Sequence, residues 1–203
     1  EKRADILINA ERPAVLLGQQ VWASGRHGAA IDFIRSLDIP AYMNGASRGM
    51  LPEGDPHHFD RTRSDAFKDA DVILIVGTPF DFRMGYGKRI SDAATLVQID
   101  QNYATVGKNR DISMGIAGDP GAILKAVEQA ASGRISQGLK KKRQEWMSKL
   151  RGIEEIKLEK LMPVFKSEQN PIHPYRLAYE INEFLEEDTI YIGDGGDIVT
   201  ISA

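Results

Sequence analysis

The 203-residue chain predicts an α/β fold, a Rossmann-like, doubly wound parallel sheet with flanking helices. Three observations carry that expectation. Short apolar runs such as AVLL (Ala14–Leu17) and VILIV (Val72–Val76) have the character of strands covered on both faces. Segments with helical spacing separate the runs. Four of the runs end directly at a small or acidic residue: Gly18, Gly77, Asp100 and Gly118.

Taken in order, the first strand (14–17) follows Pro13, and a helix over 25–37 places Ala29, Ala30, Phe33, Ile34 and Leu37 on one face. A second strand covers 39–42. Residues 44–60 hold three Gly and two Pro and are expected to be a loop. A short helix (64–70) leads into the strongest strand (72–76). Further strands follow at 95–99 and, more weakly, at 112–117. A helix over 119–131 has Asp119 as N-cap and Pro120 in its first turn. These elements make one domain, residues 10–132. Residues 133–170 form an amphipathic helix and a linker, with Trp146, Leu150, Ile153 and Leu161 at roughly helical spacing. The KKKR run at 140–143 is expected to be a solvated helix face. Residues 171–203 predict a helix (174–187), a strand (189–192) and the loop GDGGD (193–197). Some 30 residues are too few for a core of their own. They are expected to open another domain.

Composition excludes several classes. Lys+Arg is 26 and Asp+Glu 29, a net charge of -3, which gives no reason to expect nucleic acid or an acidic membrane as partner. Cysteine is absent, so thiol catalysis, disulfides and thiolate metal sites are excluded. The four histidines (His27, His57, His58 and His173) include no i, i+4 pair. No apolar run approaches the roughly 20 residues that span a bilayer. The N-terminus, EKRADILINA, has neither an initiator Met nor an apolar leader. A cytoplasmic protein is expected, and the start has the character of a cut into a longer chain.

Ligands of open parallel sheets sit outside the carboxyl ends of the strands. That rule nominates Gly18, Gln19 and Gln20, then Gly77 and Thr78, then Asp100 and Gln101, then Gly118 and Asp119. Glycine lets a ligand approach the backbone, and aspartate suits a ribose hydroxyl or an adenine amine. Ordinary strand-to-helix turns also need Gly and Asp. Arg83, just after the strongest strand, is a candidate for a bidentate phosphate contact. The G-x-G-x-x-G fingerprint is missing: Gly18, Gly25 and Gly28 have the wrong spacing, which argues against an ordinary NAD dehydrogenase. GDGGD has no following Lys and is not a Walker loop. His57 and His58 are adjacent in a loop, where side chains diverge, so a joint catalytic role is not expected.

Several segments carry a resemblance. RPAVLLGQQVWASG from Arg12, SRGMLPEGDP from Ser47, DADVILIVGTPFDFRMGYG from Asp69 and LVQIDQNYATVGKN from Leu96 resemble, in order and spacing, the central domain of thiamine-diphosphate enzymes. The group is that of acetolactate synthase, oxalyl-CoA decarboxylase and 2-hydroxyacyl-CoA lyase, whose central domain has the DHS-like variant of the fold. AGDPGAIL from Ala117 fits the next strand and turn. NPIHPYRLAYEINEFLEEDTIYIGDGGD resembles the start of that family's third domain, which binds the cofactor diphosphate. The resemblance implies that Gly195, Gly196 and Asp197 lie near thiamine diphosphate. It also implies that the activating Glu and the Mg-binding motif belong to other parts of the enzyme, so no catalytic or metal residue is expected here. In relatives the central domain holds FAD, ADP or nothing. The implied contacts are the strand-end residues and Arg83. Pro79 stands where many nucleotide-binding relatives have an Arg, a charge-assisted contact of about 1.5–3 kcal/mol. Asn102 stands where acetolactate synthases often have a further Asp.

The function implied is that of an acetolactate synthase-like enzyme. It would decarboxylate a 2-keto acid such as pyruvate and transfer the acyl unit as a homodimer or homotetramer, with this fragment inactive alone. Two alternatives stand beside it. One is a carboligase or lyase of the benzaldehyde lyase or 2-hydroxyacyl-CoA lyase type. The other is a stand-alone nucleotide-binding module.

Overall fold

The computed structural model describes residues 4–186, 188–192, 196 and 201. Its five strands are β1 (Pro13–Leu17), β2 (Ala41–Met43), β3 (Val72–Val76), β4 (Thr95–Asp100) and β5 (Met114–Ala117). They form one sheet in the order β2-β1-β3-β4-β5, and every pairing is parallel. The helices are α1 (Ala4–Ile8), α2 (Gln19–Ala23), α3 (His27–Leu37), α4 (Arg63–Asp69), α5 (Pro120–Ala131), α6 (Gln137–Phe165) and α7 (Pro174–Phe184).

Every residue of β1 and β3 is buried, which is why PAVLL and VILIV carry no polar side chain. Strand alternation divides them between two layers. Val15, Leu17, Leu74 and Val76 pack with Phe33, Ile34 and Leu37 of α3 and Leu124 of α5. Ala14, Leu16, Ile73 and Ile75 pack with Ala66 and Phe67 of α4 and Trp146 and Leu150 of α6. The strand order reverses between β1 and β3, and that point of reversal is where a doubly wound sheet opens a crevice at its carboxyl edge. The outer edge of β2 is covered: Ala41 N–H donates to the His57 carbonyl (2.8 Å), and Phe59 N–H to the Ala41 carbonyl (3.0 Å).

The structure differs from the sequence reading at several places. β2 begins at Ala41 rather than at Ile39, because Pro40 has no N–H to donate to a ladder; its carbonyl accepts from Val15 N–H at 3.1 Å. α1 and α2, five residues each, were not anticipated. Residues 189–192 do not adopt a strand, and Ile190 and Ile192 are almost fully exposed.

The KKKR run is not a uniformly solvated face. Lys141 and Lys142 are exposed, but Arg143 is completely buried. Its Nε donates to the Ala10 carbonyl (3.0 Å), and its two terminal nitrogens donate to the carbonyls of Leu37 and Leu7. Leu37 and Leu7 lie in the last turns of α3 and α1, where carbonyls lack helical partners and the helix dipole favours a cation. One turn on, Trp146 Nε1 donates to the Pro13 carbonyl at 3.0 Å. Further along the same face, Glu154 accepts from the backbone N–H groups of Asp60 and Arg61 and from the Thr62 hydroxyl, at 2.7–2.9 Å. This stripe of α6 seals one face of the sheet with polar anchors as well as apolar packing.

The chain divides into two compact units, 1–154 and 155–203. Within the second, Phe165 stacks on Tyr179 with ring centroids 5.4 Å apart, and His173 Nδ1 caps α7 by accepting from Tyr175 N–H at 3.1 Å. No helix among the described residues is long and apolar enough to cross a membrane.

Two expectations follow for stability. Arg143→Met keeps the stem but leaves the buried Ala10 and Leu37 carbonyls without this donor, each worth about 1–3 kcal/mol. Urea unfolding should show a loss of at least about 2 kcal/mol, whereas Lys142→Met, at an exposed ion pair, should stay within about 0.5 kcal/mol. Near-equal midpoints for the two variants would contradict the anchoring role. Gly18→Ala places a Cβ 2.4 Å from the Gly77 carbonyl oxygen and 2.5 Å from Thr78 Cβ, with backbone on one side and no room to yield. Gly25→Ala meets only its left-handed backbone, φ 66°, in open space. Thermal melts should show Gly18→Ala as the more damaging of the two.

Candidate nucleotide ledge at the carboxyl edge

The turns leaving the four inner and outer strands are stitched to one another by backbone hydrogen bonds. Gly18 N–H donates to the Val76 carbonyl (2.7 Å), Gly77 N–H to the Ile99 carbonyl (2.8 Å) and Gly118 N–H to the Asp100 carbonyl (3.0 Å). The ladder thus runs one residue past each strand end, and the turns of β1, β3, β4 and β5 lie in a row. Gly18 and Gly77 touch across the β1–β3 junction. Any side chain at Gly18 would overlap the Gly77 carbonyl, and a Cβ on Gly77 (φ 69°) would sit 2.8 Å from Gln20 Cβ. Close packing of the two turns therefore accounts for both glycines, without appeal to a ligand.

Gln20 bridges the row. Its Nε2 donates to Asp100 Oδ1 (3.0 Å), and its Oε1 accepts from Gln101 N–H (2.9 Å). Asp100 Oδ1 also accepts from Asn102 N–H at 2.8 Å. Asp100 is fully buried, yet its Oδ2 has no hydrogen-bond partner among the described residues. A buried carboxylate oxygen without a donor is costly, and such groups call for an explanation. An acceptor at a strand's carboxyl end is placed to receive a hydroxyl or amine of a ligand.

The remaining nominated residues divide. Thr78 is buried beside Gly77, and Gln19 is exposed at the start of α2. Asp119 caps α5 by accepting from Ala122 N–H at 2.7 Å, and lies 3.8 Å from Arg26 Nε. Gly118 holds φ 151°, a value favouring glycine. Arg83 is committed within its own turn. Its guanidinium grips Asp81 through contacts of 2.5–3.2 Å, which raises its pKa, by hydrogen bonding first, and keeps it charged. It lines a cavity that none of the strand-end residues shares. Gly196 is described and exposed, whereas Gly195 and Asp197 lie outside the described residues.

Two contributors had no sequence signal. Ser47, completely buried, donates its hydroxyl to the Gly18 carbonyl at 2.6 Å, and Asn44 N–H donates to the Leu17 carbonyl at 2.8 Å. Both come from the glycine-rich loop and bind it to the β1 turn. The alternation of Gly45, Gly49 and Gly54, all at positive φ, shows only that this loop turns sharply.

Comparison with known proteins agrees with this architecture. Residues 1–127 match the family model described as thiamine pyrophosphate enzyme, central domain. A 2-hydroxyacyl-CoA lyase 2 of Danio rerio is 30% identical over 210 residues, covering 100% of this chain and 33% of that protein. An acetolactate synthase large subunit of Mycobacterium tuberculosis is 32% identical over 197 residues, covering 97% of this chain and 35% of that protein. The chain therefore spans about a third of the length of the curated relatives it matches. Among solved structures, a Mycobacterium smegmatis protein described as thiamin diphosphate-dependent superposes with a TM-score of 0.54 at 18% identity, over 66% of this chain and 28% of that one, a likeness of fold. With the family model covering well over half its length, the chain belongs to the thiamine pyrophosphate enzymes, and residues 1–127 correspond to their central domain.

Proposed function

We propose that this chain is the supporting part of a thiamine-diphosphate-dependent, acetolactate synthase-like enzyme. The full-length protein would decarboxylate a 2-keto acid such as pyruvate and transfer the acyl unit to an acceptor. When bound, thiamine diphosphate supplies the carbanion chemistry; this chain's residues position and support. Residues 10–132 form the nucleotide-binding-like domain, and the segment from 171 leads into the diphosphate-binding domain, with Gly195, Gly196 and Asp197 as the residues nearest the cofactor. Mg would accompany the diphosphate. Among the described residues no group of three or more His, Asp or Glu side chains is arranged to hold a metal, so the proposal assigns Mg no ligand here. The assembly is proposed to be a homodimer or homotetramer in the cytoplasm.

The observation that carries the supporting role is the strand-end row itself. Gln20 spans from β1 to β4 and holds Asp100 with one carboxylate oxygen free. The residues fit the adenosine portion of FAD or ADP better than its phosphates. An acceptor for hydroxyl or amine donors is present at Asp100. At the β3 end, Pro79 offers no charge, and Arg83 is already neutralised by Asp81. Both synthase and lyase relatives are compatible with this arrangement.

The test is pyruvate consumption by the full-length protein, with and without thiamine diphosphate and Mg. Turnover should appear only with the cofactor, and this chain alone should show none. Cofactor-independent turnover would reject the reading. Activity confined to 2-hydroxyacyl thioesters would select the lyase reading instead.

A further inference from the structure

Residues 55–60 form a strap along the outer edge of β2, joined to it through the Ala41 and Phe59 amides. Side chains hold the middle of the strap. The buried His57 ring lies between two carboxylates: Nδ1 is 3.2 Å from Asp55 Oδ1, and Nε2 is 3.3 Å from Asp38 Oδ1. Ionised carboxylates only accept, so a ring that hydrogen-bonds both must donate from both nitrogens, and only the imidazolium can do so. Asp55 is itself fixed. Its Oδ1 accepts from His57 N–H (2.9 Å) and its Oδ2 from Arg35 Nη2 (2.7 Å). Asp38 stands at a position that suits it poorly. It caps the C-terminus of α3 with left-handed backbone, φ 50°, where glycine is favoured, and a negative charge there opposes the helix dipole. Among the described residues, the hydrogen-bond partner of its carboxylate is His57. Two local costs at one residue, next to one specific partner, mark a position kept for its side chain.

We propose that His57 is a protonation lock: its charged ring ties the strap 55–60 to the end of α3 through Asp55 and Asp38, and loss of its proton loosens the strap and uncovers the edge of β2.

The charges around the ring come from three elements. α3 and its cap supply Arg35 and Asp38, the strap supplies Asp55, and β2 supplies none. From α6, Arg143 acts on Asp38 but directs its donors to backbone carbonyls, and Arg151 donates to the carbonyls of Pro56 and His58 (3.1 and 2.9 Å). Within hydrogen-bonding reach, a protonated His57 and Arg35 match the two carboxylates. A neutral ring leaves one carboxylate unmatched and turns a nitrogen lone pair towards it. His58 repeats the device further along. Its Nε2 lies 3.1 Å from Asp60 Oδ1, and that hydrogen bond first, against the effect of burial, raises the ring's pKa; the charges of Asp60 and Glu154 add to the rise. A raised folded-state value stabilises fully below the unfolded value, and the stabilisation is lost as pH rises through the folded one. Losing the His57 proton acts in the same direction. Burial would raise the Asp55 carboxyl, but hydrogen bonds from Arg35 and His57 outweigh it and hold the carboxyl below its ordinary range, so it stays charged where histidines titrate. Arg151 and Glu154 tether the strap to α6 without using the His57 ring, so the loosening is local. The strap ends the same loop whose Asn44 and Ser47 hold the β1 turn.

The experiment is hydrogen exchange of the full-length protein at about pH 6 and about pH 8.5, on either side of the usual histidine range, with rates corrected for the intrinsic pH dependence of exchange. Protection of the segment 38–60, which includes the Ala41 and Phe59 amides, should fall about tenfold at the higher pH, while Val72–Val76 of β3 keeps its protection. His57→Gln cannot carry the charge and should lose most of that fall, with His58 accounting for the remainder. Asp38→Asn tolerates the left-handed backbone and pairs with the ring in either charge state, so it should also lose most of the fall. It decides the matter if His57→Gln fails to fold. Exposed His27→Gln, at the other end of α3, should behave as wild type. A wild-type fall that either His57→Gln or Asp38→Asn keeps in full, or no fall in the wild type, would overturn the proposal.

Discussion

The architecture depends on the contact between the β1 and β3 turns. β1 sends the chain one way to β2, and the chain then crosses back past β1 to reach β3. At that point of reversal the two turns must sit side by side, and glycine at 18 and 77 is what lets them. With the turns in contact, the ladder continues past the strand ends and sets Gly18, Gly77, Asp100 and Gly118 in register. Gln20 can then reach Asp100 from the far side of β3. The row is therefore a consequence of topology and packing first. It becomes available to a ligand only where packing leaves something unfinished, as at Asp100 Oδ2.

A second constraint holds the layers. The stripe Arg143, Trp146, Leu150 and Glu154 on α6 meets chain ends and turns rather than strands. Arg143 gathers the carbonyl ends of α1 and α3 with that of Ala10, and Glu154 gathers donors just ahead of α4. Each charge finds groups that secondary structure leaves unpaired, which offsets the cost of burying it. The helix thereby fixes the ends of α1 and α3 and the residues that lead into α4.

What the sequence makes legible follows from periodicity and punctuation. VILIV and PAVLL sit in the sheet because an unbroken apolar run has no other place, and the glycines at 18 and 77 mark their ends. Asp119 and Pro120 mark the start of α5 for local reasons that need no tertiary knowledge. The misses share a cause. Arg143 stands in a run of charges that elsewhere means solvent, and only the carbonyls converging from two distant segments, the end of α1 and the end of α3, make it a core residue. α2 is a single short turn whose apolar contribution is Val21 alone, too little for a period to show. The strand expected at 189–192 has the composition of one, but Ile190 and Ile192 lie exposed to solvent rather than in a sheet. At the site, residue types at strand ends were readable, whereas the bridge from Gln20 to Asp100 and the support from Ser47 are separated by 80 and 29 positions and appear only on folding.

Asp100→Asn tests the ledge most directly. The change is isosteric, keeps the Oδ1 acceptor for Gln20 and Asn102, and removes a buried charge. If Oδ2 is held in reserve for a nucleotide hydroxyl or amine, the full-length variant should melt no lower than wild type while binding FAD or ADP at least tenfold more weakly. Undiminished nucleotide affinity in the variant, with the fold intact, would contradict a ledge built around Asp100.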